Sequence, residues 1–229
     1  MLHPFGPEIW IADGSDVTGA LGFRFPTRMA LVRLPDDGLW VWSPIALTPA
    51  LRQEIDALGP VAHLVAPNSL HHTFLADWRD AYPSARLHAA PGLRTARADI
   101  AFTDDLSDTP PAAWAAQIAQ VVVPSNTLTT EMVFFHRPSG TVLVTDLIQQ
   151  MAPDRFTGWR GIVARLDLMV APRPSVPRKF RLAFTDRPAA RAAIDRILEW
   201  PADKLIIAHG TPITQDARTV IADAFGWLR

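Results

Sequence analysis

Cysteine is absent from this chain of 229 residues. Its absence excludes disulfide bonds, thiolate metal ligands and a cysteine nucleophile, so any metal would be held by histidine, carboxylate or backbone oxygen. A dominant charge is lacking too, because 22 Lys and Arg residues nearly balance 23 Asp and Glu residues. Such a chain has no overall attraction for nucleic acid or an acidic membrane, and we expect neither as a partner.

Long hydrophobic runs are also missing from the chain. The longest have the length of a strand, far below the roughly 20 residues that a membrane-spanning helix needs. The start, MLHPFGPEIW, is neither basic nor followed by a long apolar stretch, so it does not predict a signal peptide. We therefore expect a cytoplasmic protein.

Alternating strand and helix patterns are present throughout the chain, and 48% of its residues are hydrophobic. The turn signature PDDG between TRMALVRL and LWVWSPI predicts a hairpin. The segment TPALRQEIDALGP predicts a helix, with Thr48 as its cap and Pro49 in its first turn. Segment 172–181 contains three prolines and four basic residues and predicts a loop. Together these patterns predict a layered α/β fold with a mixed sheet, in one domain over residues 1–229.

Three apolar strand patterns each end in side chains that can bind a metal. VAHLVAP leads to His71 and His72, TVLVTDL ends at Asp146, and KLIIAHG delivers His209. Imidazoles and a carboxylate at strand ends are a common way to assemble a zinc or iron site from distant parts of a chain. We therefore expect these four side chains to converge.

The adjacent histidines pose a geometric condition on that site. In a strand, His71 and His72 would point to opposite faces and could not share one metal. At a turn between a strand and a helix they can converge, and the preceding Pro67-Asn68-Ser69 favours such a turn.

The order of these motifs along nearly the whole chain resembles that of the metallo-β-lactamase fold superfamily. The resemblance implies an α/β fold, a four-layered αβ/βα sandwich of two mixed β-sheets with a metal site along one edge. The superfamily motif His-x-His-x-Asp-His corresponds here to the stretch from Pro67 to His72, so Pro67 and Ser69 replace its first two histidines. The variant PNxxHH also resembles an uncharacterised branch of the superfamily.

The next superfamily ligand is a histidine in a loop of small residues. The matching loop, PSNTLTTEM, has no histidine, and its nearby polar candidates are Asn126, Thr127 and Glu131. The bridging aspartate of the superfamily matches Asp146 and its final histidine matches His209. The resemblance thus implies that this chain has lost one of the two metal sites of the superfamily. The residues that would keep the other are His71, His72, Asp146 and His209.

A donor set of nitrogen and oxygen atoms without cysteine favours zinc as the one retained metal. A site with one metal is compatible with two functions of different classes. The first is a mononuclear metal-dependent hydrolase of a small ester, lactone or amide, with Asp146 as ligand or general base. The alternative is a non-catalytic protein that binds a metabolite or protein partner, because four ligands would close a tetrahedral structural site. Redox iron is a third option.

Overall fold

Two β-sheets face each other in the computed structural model, which describes residues 1–229. The strands of the first sheet are β1 (His3–Gly6), β2 (Ile9–Thr18), β3 (Arg24–Arg33), β4 (Leu39–Trp42), β5 (Val61–Ala66), β6 (Arg86–Ala89) and β7 (Asp104–Asp105). They lie side by side in chain order, antiparallel from β1 to β4 and parallel from β4 to β7. This first sheet is therefore mixed, as the sequence predicts.

The second sheet is also mixed. Its strands are β8 (Ile118–Val123), β9 (Glu131–His136), β10 (Thr141–Val144) and β11 (Lys204–Ile207). Their spatial order is β11-β10-β9-β8, and only the β10–β11 pair is parallel.

Helices cover the outer faces of both sheets. They are α1 (Pro49–Asp56), α2 (Leu75–Ala81), α3 (Leu93–Ala96), α4 (Gly158–Leu166), α5 (Arg178–Ala183), α6 (Arg187–Leu198) and α7 (Ala217–Ala224). Apolar residues of the first three helices pack on the seven-stranded sheet, and those of the last three pack on the four-stranded sheet. The predicted four-layered αβ/βα sandwich is thus confirmed. None of the helices is both long enough and apolar enough to cross a membrane.

The central core lies between the two sheets and depends on the two-residue period of the strands. In β4, Trp40 and Trp42 join the core between the sheets, whereas Leu39 and Val41 join the core under the helices. The Trp40 ring meets the Phe134 ring edge-on, with 5.1 Å between their centroids. Alternation along a strand therefore supplies both hydrophobic layers from one short segment.

Local sequence signals set several of these elements. The predicted hairpin forms between β3 and β4, and Asp37 in its turn adopts a left-handed φ of 64°. Thr48 caps α1 by accepting a hydrogen bond from the Leu51 N–H over 3.2 Å. The loop expected at 172–181 is wrong in part, because α5 begins at Arg178. Its Phe180 is buried in the second-sheet core, and that packing outweighs the weak local pattern.

Parallel pairing brings four strand ends to one edge of the sandwich. Val144 at the end of β10 is in register with Ile207 at the end of β11. Trp42 at the end of β4 is in register with Val65 near the end of β5. Segments that leave neighbouring parallel strands start side by side, so these four strand ends position the candidate site.

A buried pair of histidines lies in the first sheet. His63 Nδ1 lies 3.0 Å from His88 Nε2, and both rings pack on Trp114. Burial, reinforced by the neighbouring His63, lowers the pKa of His88 to about 4. Burial likewise lowers the pKa of His63.

We expect the free energy of unfolding to fall as pH drops from 6.5 towards 4. In that window the unfolded chain protonates His88 with a pKa of about 6.5, whereas the folded chain does not. The full effect of His88 is about 3 kcal/mol and is reached near pH 4. Urea unfolding across this range should show a shallower pH slope in His88→Gln than in wild type. Equal slopes would contradict the assignment, and His3→Gln, at an exposed site, is the control.

Candidate metal centre

Three donor side chains converge where β5, β10 and β11 end. His71 Nε2 lies 3.2 Å from His209 Nε2 and 3.3 Å from Asp146 Oδ2. His209 Nε2 lies 3.4 Å from Asp146 Oδ1. All three side chains are at most 9% exposed, although 138 positions separate His71 from His209. Three of the four side chains expected at the site are therefore together.

His72 does not join this group, which corrects the expectation of four converging side chains. Its Nδ1 lies 2.7 Å from the Arg97 guanidinium, which also donates to the His72 carbonyl oxygen. Burial, followed by the charge of Arg97, lowers the pKa of His72. The turn after β5 directs only His71 towards the other donors. In this turn, as in a strand, the side chains of two adjacent residues point in different directions. Arg97 lies beyond α3, and nothing in the local sequence marks it as the partner of His72.

The spacing of the three donors fits a tetrahedral metal. Zinc lies about 2.0–2.1 Å from imidazole nitrogen and carboxylate oxygen, so the ligand atoms of a tetrahedral site are about 3.4 Å apart. The observed separations of 3.2, 3.3 and 3.4 Å match one face of that tetrahedron. The donor set therefore fits zinc, with one position free.

His209 is held by its other ring nitrogen. His209 Nδ1 lies 2.8 Å from the carbonyl oxygen of Pro26, which can only accept, so Nδ1 carries the proton. In the neutral ring with this tautomer, Nε2 has the lone pair that binds a metal. The strand end is fixed by Arg28, which donates to the carbonyl oxygens of Ile207, over 2.6 Å, and of Gly210. Gly210 is required there, since a Cβ would approach the Gln150 carbonyl oxygen to 2.6 Å.

His71 is held by two contacts that differ in kind. Its Nδ1 lies 2.8 Å from Ser43 Oγ, and its backbone N–H donates to Asn68 Oδ1 over 2.9 Å. Ser43 follows β4 with a left-handed φ of 53°, a conformation that is costly for a residue with a Cβ. The hydroxyl contact fixes the ring so that Nε2 faces Asp146 and His209.

Asp146 is held by a fully buried polar network. Asn68 Nδ2 donates to Asp146 Oδ2 over 2.7 Å and to Thr145 Oγ1 over 2.9 Å. The Glu131 carboxylate accepts the backbone N–H groups of Thr145, Asp146 and Leu147 over 2.6, 2.9 and 3.2 Å. One carboxylate thus holds the whole turn that carries Asp146.

The protonation states in the site suit metal binding. Burial alone would raise the pKa of Asp146, but the adjacent imidazoles of His71 and His209 hold it well below its usual range. Burial lowers the pKa of His71, which favours the neutral ring. Burial and the charge of Asp146 raise the pKa of Glu131 to about 7. An ionised Asp146 and a neutral His71 are the forms that ligate metals.

Other polar residues of the two loops that the sequence resemblance singled out make contacts away from the three donors. Ser69 Oγ lies 3.0 Å from Thr129 Oγ1, and Asn126 Nδ2 donates to the Phe180 carbonyl oxygen over 2.9 Å. Thr127 donates to the Ala183 carbonyl oxygen, and Glu131 serves the turn around Asp146. These residues and the three donors do not form a larger group of metal-binding side chains.

The three donors line a cavity of about 390 Å³. Its walls are apolar at Phe25, Phe74 and Leu128, and polar at Thr27 and Gln149. Gln149 Oε1 is buried without a hydrogen-bond partner. A cavity of this size with a few convergent polar groups is typical of a small-molecule site.

Sequence reasoning missed Ser43 and gave Asn68 only a role in a turn. A serine after LWVW carries no metal-site signal, and the partner of Asn68 lies 78 positions away. Among the basic residues near the site, Arg28 is bound to Asp13 and to the Ile207 carbonyl oxygen. Lys179 does reach the cavity, where it pairs with Asp167 over 3.0 Å.

Comparison of the sequence with family models places the chain in a family without an assigned function. The model of a domain of unknown function, DUF4336, matches residues 7–156, and the chain belongs to this family. The matched region contains His71 and Asp146 and ends before His209. No curated protein matches the sequence.

Solved structures share the fold at low sequence identity. The Flv1 flavodiiron core from Synechocystis sp. PCC6803 is 12% identical with a TM-score of 0.68, and the whole chain covers 60% of that protein. A metallo-β-lactamase from Pontibacter korlensis is 13% identical with a TM-score of 0.67, over 100% of this chain and 98% of that one. The metallo-β-lactamase FIM-1 from Pseudomonas aeruginosa, in its mono-zinc form, is 13% identical with a TM-score of 0.67. The match covers 99% of this chain and 95% of that one. The chain therefore has the metallo-β-lactamase fold.

We expect Glu131→Ala to lower the free energy of unfolding by at least about 3 kcal/mol. The change leaves three buried N–H groups without an acceptor, at about 1–3 kcal/mol each. Glu131→Gln retains one acceptor oxygen and should cost less than Glu131→Ala. Urea titration followed by circular dichroism measures both, with the exposed Glu199→Ala as the control. Equal stability of Glu131→Ala and wild type would refute the role of Glu131 in holding the turn.

Proposed function

We propose that the chain is a mononuclear metal-dependent hydrolase that cleaves a small ester, lactone or amide. The observation that carries the proposal is the set of three donors at tetrahedral spacing on the wall of a cavity. Three protein ligands with one open position are the pattern of catalytic zinc, whereas structural zinc has four. The position of His72 beside Arg97 therefore favours catalysis over the non-catalytic alternative.

The residues around the site have distinct roles in this proposal. A bound metal would lower the pKa of a water molecule and polarise the group to be cleaved. Asp146 acts as a ligand rather than as a free general base, because Oδ2 accepts from Asn68 and both oxygens face imidazoles. The unpartnered Gln149 Oε1 would accept an N–H or O–H group of the substrate.

Ser43 supports a second candidate, a metal-independent serine hydrolase. Its hydroxyl, His71 and Asp146 form a chain of contacts of 2.8 and 3.3 Å, and Ser43 lines the cavity in a left-handed conformation. A serine, a base and a carboxylate in that order can form a covalent intermediate with an acyl group. The placement of His209 within 3.4 Å of both His71 and Asp146 has no role in that mechanism and favours the metal.

We expect wild-type protein purified without chelators to hold one equivalent of zinc. His209→Ala should lose the metal, because it removes one of three ligands. His72→Ala is the matched control and should keep one equivalent, since His72 contacts Arg97 instead. Elemental analysis with protein quantification measures the zinc content per chain of wild type and both variants. Two equivalents in wild type, or loss of zinc in His72→Ala alone, would contradict the three-ligand site.

We expect zinc-loaded protein to hydrolyse members of an ester, lactone and amide panel. His209→Ala should lower kcat/KM by more than about 100-fold, because the reaction depends on the bound metal. A chelator should have the same effect, and added zinc should reverse it.

The outcomes of this assay separate the candidate functions. Turnover that survives chelation but is abolished by Ser43→Ala at unchanged zinc content would favour the serine hydrolase. Zinc-loaded protein that turns over no panel member, and whose melting temperature falls sharply in His209→Ala, would favour a structural metal.

A further inference from the structure

A second concavity, of about 570 Å³, adjoins the cavity at the candidate metal centre. The two share Ala20, Phe25 and Lys179 on their walls, so they lie side by side. We call the second one the apolar groove. Its apolar side chains include Leu21, Phe23, Val163, Leu166, Met169 and Leu182.

Large apolar side chains in the apolar groove are left uncovered by the rest of the chain. Leu182 is 80% exposed, Leu21 is 75% exposed and Leu166 is 61% exposed. Leu21 also adopts a left-handed φ of 57°, which is unfavourable for a leucine. A strained backbone that holds an apolar side chain at a cavity mouth points to a ligand contact.

A series of aromatic rings leads from the metal ligand His209 into the apolar groove. The Phe25 ring centroid lies 5.4 Å from that of His209 and 6.4 Å from that of Phe23. Phe23 in turn meets the half-exposed Trp159 with 5.8 Å between ring centroids. Packed aromatic rings thus connect the candidate metal centre with the wall of the apolar groove.

We propose that the apolar groove binds an unbranched alkyl chain of the substrate, whose ester or lactone group lies at the metal centre. This inference rests on the proposed function and narrows its substrate class to esters and lactones with a medium or long acyl chain. The only charged groups on the groove wall are Asp167, Arg178 and Lys179. Asp167 and Lys179 form an ion pair over 3.0 Å, so Arg178 is the one charged side chain of the wall without an ion-pair partner.

The dimensions of the apolar groove favour one alkyl chain over a second protein copy. It is lined by 11 residues, whereas a stable protein interface uses about 20–30 residues on each side. Its volume of about 570 Å³ and that of the adjoining cavity lie within the range of small-molecule sites, about 300–1,000 Å³.

The test measures binding of butanoate, hexanoate and octanoate to the zinc-loaded full chain by calorimetry. We expect Kd to fall about fourfold for each added methylene, as expected for burial of a CH₂ group in an apolar site. Leu182→Asp and Leu166→Asp should flatten this dependence. Because both side chains are exposed, neither change should unfold the protein. Ile162→Asp, on the same helix as Leu166 and 60% exposed but outside the groove, should retain the dependence.

The outcomes distinguish this inference from the proposed function. In His209→Ala, Kd should still depend on the length of the alkyl chain, since no groove residue is a metal ligand. The variant would lose zinc and turnover, but its apolar groove would be unaffected. A Kd independent of chain length, or a dependence equal in wild type and Leu182→Asp, would overturn the inference while leaving the hydrolase intact. Sedimentation of wild type, but not Leu182→Asp, with phosphatidylcholine vesicles would assign the apolar groove to a bilayer and also overturn it. A dimer that Leu182→Asp dissociates would assign the groove to a second copy, with the same consequence.

Discussion

The parallel register of β10 with β11 is the constraint on which the candidate metal centre depends. Val144 opposite Ile207 places the turn that carries Asp146 beside the turn that carries His209. A slip of one residue would turn every side chain of a strand to the other face and separate the two donors. The hydrophobic alternation that buries these strands between two layers therefore also fixes the chemistry at their ends.

Around that register, the site is held by contacts that are themselves buried. Glu131 orders the turn of Asp146 through three N–H groups, and Asn68 joins that turn to the segment that carries His71. Burial raises the pKa of Glu131 to about 7, and repulsion from the nearby Asp146 carboxylate adds to the rise. A divalent cation beside Asp146 would offset that repulsion, and the spacing of the donors is suited to one.

The metallo-β-lactamase fold leaves the chemistry of this chain open, because function resides in the site rather than in the fold. Of the four side chains expected at the site, His72 is turned towards Arg97. The site consists of one group of three donors on the wall of a cavity that adjoins an apolar groove. Those donors and that cavity are the observations on which the proposed hydrolase rests.

The sequence by itself determined the layered fold and the strand ends that carry His71, Asp146 and His209, because hydrophobic periodicity and turn residues act over a few positions. It also excluded thiolate ligands through the lack of cysteine. The tertiary structure alone decided that His72 faces Arg97, that Ser43 contacts His71, and that Glu131 serves the turn of Asp146 instead of acting as a ligand. His72 and Arg97 lie 25 positions apart in the sequence, and Ser43 and His71 lie 28 positions apart. Such contacts depend on the direction in which each side chain leaves the backbone, which packing between layers sets and local sequence patterns do not encode.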